Sequence, residues 1–235
     1  MKTNFTFRPG TWDESIFDCV NKHNEYRLPV SFQPTDIIVD IGAHIGSFAA
    51  ACLSRGVNKV YSFEAFKDNY DCTVNNLAQF GDRAIPIHSA MWRSDKEVKE
   101  LSFSASNEAQ NTGGGNVWTE GGVIKVPATS LDTFLSTIDK PITLLKLDCE
   151  GSEFPILFTS NKLDKINAIC GEYHEIGGQY NPIAIPEGSK IDGYDQYTIK
   201  ELTEFLISKG FKVTSTRSGL PDGTLTNLGL FFATR

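Results

Sequence analysis

The chain has 235 residues, 40% of them hydrophobic, which is enough for one sizeable α/β domain with a buried core. Its net charge of −7, with no basic cluster, argues against a nucleic-acid groove. Five cysteines (Cys19, Cys52, Cys72, Cys149, Cys170), odd in number and without C-x-x-C spacing, read as reduced thiols of a cytoplasmic protein and speak against a zinc site. The first ten residues lack a long apolar run and no stretch approaches transmembrane length, so neither a signal peptide nor a membrane partner is expected.

In chain order, Trp12, Ile16, Cys19, Val20 and His23 recur at helical spacing. They predict a helix from Trp12 to Tyr26 in an N-terminal cap, residues 1–35, ahead of a main domain, residues 36–235. Pro29 and Pro34 lead into a buried strand at Ile37–Ile41. Gly42 and Gly46 then turn the chain into a helix carrying Phe48, Ala49, Cys52 and Leu53, which Gly56 stops. Further strands are predicted at Lys59–Phe63 and Ala84–Ala90, with a helix at Asp68–Phe80 between them.

Val98–Phe103 and Val123–Pro127 read as a hairpin around a glycine-rich loop, Ser104–Gly122, which is either a lid or a solvated tip. Ser130 should cap a short helix. Ile142–Asp148 and Ile166–Tyr173 read as central parallel strands. Thr198 and Glu201 form a capping box for a helix with Ile199, Leu202, Phe205 and Leu206 inward. Phe211–Thr216 and Leu228–Thr234 close the chain as an antiparallel hairpin.

The informative stretch is Val39-Asp40-Ile41-Gly42-Ala43-His44-Ile45-Gly46, with Glu64 ending the next strand 22 residues after Gly42. A strand, a glycine turn, a helix and an acid at that remove are how α/β folds hold an adenosine-containing cofactor. Nicotinamide enzymes want G-x-G-x-x-G, whereas here His44 fills the middle glycine slot and no third glycine follows. Asp40 before the turn suits a zwitterionic amino-acid tail, such as that of S-adenosylmethionine (AdoMet), better than a pyrophosphate. The terminal hairpin points the same way.

These motifs resemble the FkbM family of AdoMet-dependent methyltransferases. The resemblance rests on the turn at 39–46, on Phe63-Glu64-Ala65 followed by Asn75 and Asn76, on Val126–Asp132, and on Leu145-Lys146-Leu147-Asp148-Cys149-Glu150-Gly151-Ser152-Glu153. His44 stands where the family has Asn, and Ala65 where it has Pro. The resemblance implies a Rossmann-like class I methyltransferase sheet, mostly parallel and seven-stranded with a C-terminal antiparallel hairpin. It also implies O-methylation of a hydroxyl on a small molecule or glycan. AdoMet would lie against Asp40, Gly42, His44, Gly46, Ser47, Glu64, Ala65, Ser89, Ala90, Met91 and Asp148, with Glu64 on the ribose and Ala90 and Met91 beside the adenine.

Asp148, Glu150, Glu172 and His174 are the candidate catalytic residues, and His174 is the leading general base on pKa grounds. Lys146 inside its strand needs a buried partner, either Asp148 or Glu172. Transfer without a metal is the preferred reading. A divalent ion held among Asp148, Glu150, Glu172, His174 and Glu175 is the alternative. Trp118, Tyr180, Tyr194 and Tyr197 are candidates for stacking on the acceptor. A nicotinamide oxidoreductase and a non-catalytic AdoMet-binding module are the competing readings. Oligomeric state is not legible in the chain.

Overall fold

A computed structural model describes residues 5–117 and 122–235. Its order is α1 (Asp13–Asn21), β1 (Ile37–Ile41), α2 (Ser47–Ser54), β2 (Lys59–Glu64), α3 (Lys67–Leu77), β3 (Ala84–His88), β4 (Ala90–Trp92), β5 (Glu100–Phe103) and β6 (Ile124–Ser130). Then follow α4 (Leu131–Leu135), β7 (Leu144–Leu147), α5 (Glu153–Phe158), β8 (Ala168–His174), α6 (Ile199–Ser208), β9 (Lys212–Gly219) and β10 (Leu225–Thr234). Among the described residues no helix is long and apolar enough to cross a membrane.

The main sheet runs β3-β2-β1-β7-β8-β10-β9. β1, β2, β3, β7 and β8 pair in parallel, while β10 is antiparallel to both β8 and β9. This is the mostly parallel seven-stranded sheet with a terminal antiparallel hairpin that the resemblance implies. β1 is buried throughout because both faces are covered. Ile37, Val39 and Ile41 enter a core shared with α4, α5 and α6, whereas Ile38 enters a second core with α2. Full burial of each such side chain contributes about 1.5–3 kcal/mol. Strand order reverses between β1 and β7, so their carboxyl ends frame the crevice where such sheets bind ligands.

Four elements depart from the sequence reading. The expected third strand breaks at Ser89. β2 ends at Glu64, so the main sheet offers no neighbour beyond β3, and Ala90–Trp92 instead pairs with Ala128–Ser130. A second sheet, β4-β6-β5, results. The N-terminal helix stops at Asn21 because Asn24 and Arg27 take left-handed backbone conformations, φ 51° and 52°, and the Asn24 side chain bonds both the N–H and the carbonyl of Leu28. α5 carries no amphipathic signal because all six of its residues are buried. Pro155 lies in its first turn, where an N–H needs no intrahelical partner. Finally, Thr198 makes no side-chain cap on α6; the Ile199 N–H donates instead to Glu175 Oε1 at 2.9 Å. Ser130, by contrast, caps α4 by accepting from the Thr133 N–H.

Candidate active site

A cavity of about 440 Å³ opens at the carboxyl ends of β1, β2, β7 and β8, a size that suits a small-molecule site. Gly42 makes its floor possible. The residue takes φ +79°, and a Cβ there would overlap the carbonyl oxygen of Asp148. The next turn residue, His44, also has a positive φ of 53°, and its N–H donates to Glu64 Oε2 at 2.7 Å. Glu64 Oε1 accepts from the Phe66 N–H at 2.9 Å. Burial pushes this carboxyl up to about 7 in spite of both bonds.

Of the residues singled out in the sequence, Gly42, His44, Glu64, Ala65, Ser89, Ala90, Met91, Asp148, Glu150, Glu172 and His174 all line the cavity. Asp40, Gly46 and Ser47 do not. Asp40 is fully buried beneath the turn, where Oδ1 lies 3.3 Å from Lys146 Nζ. Lys146 also donates to the Gly42 carbonyl at 2.7 Å and stands 3.8 Å from Asp148 Oδ2. Burial works against this ammonium, but the charges of Asp40 and Asp148 outweigh it and raise its pKa. Asp40 is thus held by an internal cation and is not free to meet a ligand's amino group. Gly46 and Ser47 open α2 behind the wall; Gly46 packs under Leu77.

The N-terminal segment supplies a wall that the sequence reading missed. Ser15, Ile16, Cys19, Glu25 and Tyr26 all face the cavity. The Tyr26 hydroxyl donates to Asp148 Oδ2 at 2.9 Å. Nothing in the helical pattern of residues 12–26 announces this, because it depends on the left-handed turns at Asn24 and Arg27. Arg8 pairs with Asp13, and its guanidinium also reaches Asn69 Oδ1 at 2.7 Å and His44 Nε2 at 3.2 Å. Thr112 joins the same cluster, 2.7 Å from His44 Nε2 and 2.9 Å from Asp13 Oδ1. The loop after β5 is thereby tied over the turn, and Asn111, Gly113, Gly115, Asn116 and Val117 border the cavity. Burial pushes the His44 imidazole down to about 4, so it is neutral here.

At the other end, Asp148 and Glu150 follow β7 and meet Glu172 and His174 of β8. His174 Nε2 lies 3.4 Å from Glu150 Oε2 and 3.8 Å from Glu172 Oε2, and its Nδ1 lies 3.4 Å from Glu153 Oε1. Burial alone would lower the imidazole pKa, but Glu153 foremost, then Glu150 and Glu172, hold it well above its ordinary value. These carboxylates favour the protonated imidazole in the ion-free site, which weighs against the expectation that His174 is the base. Burial, then the Asp148 charge, pushes Glu172 up to about 8, and burial pushes Glu150 up to about 7. Burial would also raise Asp148, but Lys146 outweighs it and holds that carboxyl low.

Glu175 is turned away, paired with Arg217 and bonded to the start of α6. The aromatic residues proposed for acceptor stacking are placed elsewhere. Tyr197 stacks on Phe154, Tyr194 on Phe158, and Tyr180 under Arg217. They pack the irregular segment against the core, as large apolar rings do when a buried partner is at hand. Trp118 lies outside the described residues.

Comparisons with known proteins fit this arrangement. The FkbM methyltransferase domain model matches residues 40–213. No curated protein matches the sequence. Among solved structures, M. capricolum TrmK in complex with S-adenosyl-homocysteine is 11% identical with a TM-score of 0.51, covering 90% of this chain and 66% of that one. A precorrin-6y C5,15-methyltransferase from Geobacter metallireducens is 11% identical with a TM-score of 0.47, covering 98% and 94%. At such identity the first likeness is one of fold. Because the domain match takes in the glycine turn, Glu64 and the acid cluster after β7, the chain belongs to the FkbM methyltransferase family.

Proposed function

We propose that the protein is an AdoMet-dependent O-methyltransferase acting on a hydroxyl of a small molecule or glycan. The observation that carries the cofactor is Glu64, a buried carboxylate at the end of β2 facing the cavity across the Gly42 turn. Its remaining lone pairs would accept the ribose hydroxyls. Ala90 and Met91 give an apolar flank for the adenine, and the open backbone at Gly42 leaves room for the amino-acid tail. When bound, AdoMet supplies a sulfonium methyl for in-line displacement by an acceptor oxygen.

The chain's own work is then positioning, water exclusion and removal of one proton. The N-terminal wall and the loop at 111–117 cover the turn end. The acceptor lies toward Asp148, Glu150 and Glu172, and a glutamate there takes the hydroxyl proton, since Glu150 and Glu172 border the cavity while the carboxylates around His174 favour its protonated form. Calorimetric titration with AdoMet tests the cofactor. Glu64→Gln should weaken binding roughly 10- to 100-fold, the worth of one or two charge-assisted hydrogen bonds. Unchanged affinity in Glu64→Gln, or no AdoMet binding at all, would overturn the assignment. Methyl transfer to a panel of hydroxylated acceptors, set against matched amines, tests the O-specificity.

A further inference from the structure

We propose that Asp148, Glu172 and His174 form a divalent-cation site at the acceptor end of the cavity. Each offers one ligand atom, and the three atoms lie within 4.8 Å of one another. A six-coordinate ion with ligands at roughly 2.1–2.4 Å sets neighbouring ligand atoms about 3 Å apart and opposite ones about 4–5 Å apart. Small side-chain movements therefore suffice. The frame beneath is rigid: β7 and β8 pair in register at Leu147 and Gly171, one residue short of each acid.

His174 supplies the independent observation. It is buried, 8% exposed, and its Nε2 is turned toward Glu172, another of the proposed ligands. Its Nδ1 faces Glu153 Oε1 at 3.4 Å. Metal-bound histidines characteristically direct the far ring nitrogen at a carboxylate, and an ion here would take the place of the proton that Glu150 and Glu172 otherwise favour on Nε2. Glu153 is suited to be that carboxylate. It is fully buried, and its own oxygens accept from the Cys149 N–H at 2.7 Å and the Gly151 N–H at 2.9 Å.

Asp148 has a parallel support. Tyr26 donates to its Oδ2, and Lys146 stands on the same side, engaged with Gly42 and Asp40. Oδ1 is left for the ion. Two carboxylates and one imidazole suit Mg²⁺ or Mn²⁺. All three ligands line the cavity, so the remaining coordination positions open toward the acceptor.

A cation there would hold the acceptor oxygen and lower the pKa of its hydroxyl. The oxygen–carbon bond then forms as the sulfur–carbon bond breaks, the electron pair stays on sulfur, and the hydroxyl proton passes to Glu150. This use of the cation rests on the methyltransferase reading; cation binding itself does not.

The test is Mn²⁺ titration of the chelator-stripped full chain, with free ion followed by electron paramagnetic resonance. One Mn²⁺ per chain is expected, with affinity falling at least roughly tenfold in Glu172→Gln and in His174→Gln. Glu25→Gln, which removes a carboxylate from the same cavity but not from the ligand set, should leave it little changed. AdoMet calorimetry on the same samples confirms that each variant retains its folded site. No stoichiometric Mn²⁺ on the unaltered protein would overturn the proposal. So would equal weakening by Glu25→Gln, which would show diffuse acidity and no site. Retained Mn²⁺ with no AdoMet binding would uphold the cation site while ending the methyltransferase reading.

Discussion

Replacing Gly42 by alanine should cost far more than its one added methyl suggests. Gly10, Gly42 and Gly46 share a left-handed backbone, at φ +74°, +79° and +88°, but not the same surroundings. A Cβ on Gly10 meets nothing within 4 Å, so Gly10→Ala reports the backbone penalty alone, about 1–2 kcal/mol. A Cβ on Gly46 meets Leu77 side-chain carbons at 3.1–3.4 Å, and these can rotate away. Gly46→Ala should therefore cost about 2 kcal/mol.

At Gly42 the obstacle is backbone. The added carbon overlaps the Asp148 carbonyl oxygen and stands 2.8 Å from its carbon. Relief requires the end of β7 to move off β1, where the Asp148 N–H donates to the Ile41 carbonyl at 3.1 Å. Overpacking and a loosened buried hydrogen bond bring the total to about 3–5 kcal/mol. That is a large share of a typical domain stability of about 5–15 kcal/mol. Urea unfolding of the three variants, extrapolated to water, measures the series. A Gly42→Ala cost within about 1 kcal/mol of Gly10→Ala would refute the close-approach argument. The turn would then have slack, and Gly42 would not be required by the backbone opposite it.

Two other predictions follow from the buried charges. Lys146→Met leaves Asp40 without its cation inside the sheet and should cost about 3–5 kcal/mol, with Asp40→Asn in the same chain restoring much of it. A cost below about 1 kcal/mol would mean that Asp40 is not held by that ammonium. The second concerns pH. Glu64 is raised from 4.5 to about 7, so its contribution is fully present below about pH 4 and is lost as pH rises through 7. The loss is of order 3 kcal/mol. Thermal melts from pH 5 to 8 should show falling stability with a shallower slope in Glu64→Gln; identical slopes would place the carboxyl in a wetter environment than the geometry gives it.

The sheet was legible because its signals are local. Ile37–Ile41 and Ile142–Asp148 are continuous apolar runs, glycine turns bound them, and a strand–turn–strand ends the chain. Where the reading missed, the deciding contact was distant. Ala84–Ala90 reads as one strand by composition, yet the end of β2 at Glu64 removes its neighbour and sends Ala90 to β6. The Thr198–Glu201 pair has the spacing of a capping box, but Glu175, 24 residues earlier, reaches the helix start first. α5 was invisible because burial on every side erases periodicity.

The site shows the same division more sharply. Residue types needed at the strand ends can be read from the chain: Glu64, Asp148, Glu150, Glu172 and His174 do converge on one cavity. Their protonation cannot be read that way, because it belongs to the group. An isolated histidine titrates near neutrality and looks like a base, but His174 stands among Glu150, Glu153 and Glu172, which favour its protonated form. Asp40 looks like a ligand's counter-charge, but its register partner in β7 is Lys146, so the charge is already answered inside the sheet. Tyr26 looks like the end of a helix, but two left-handed residues deliver its hydroxyl to Asp148, 122 residues away in the chain. In each case residue type set the chemistry on offer, and the neighbour brought by the fold decided whether it faces the ligand or the protein.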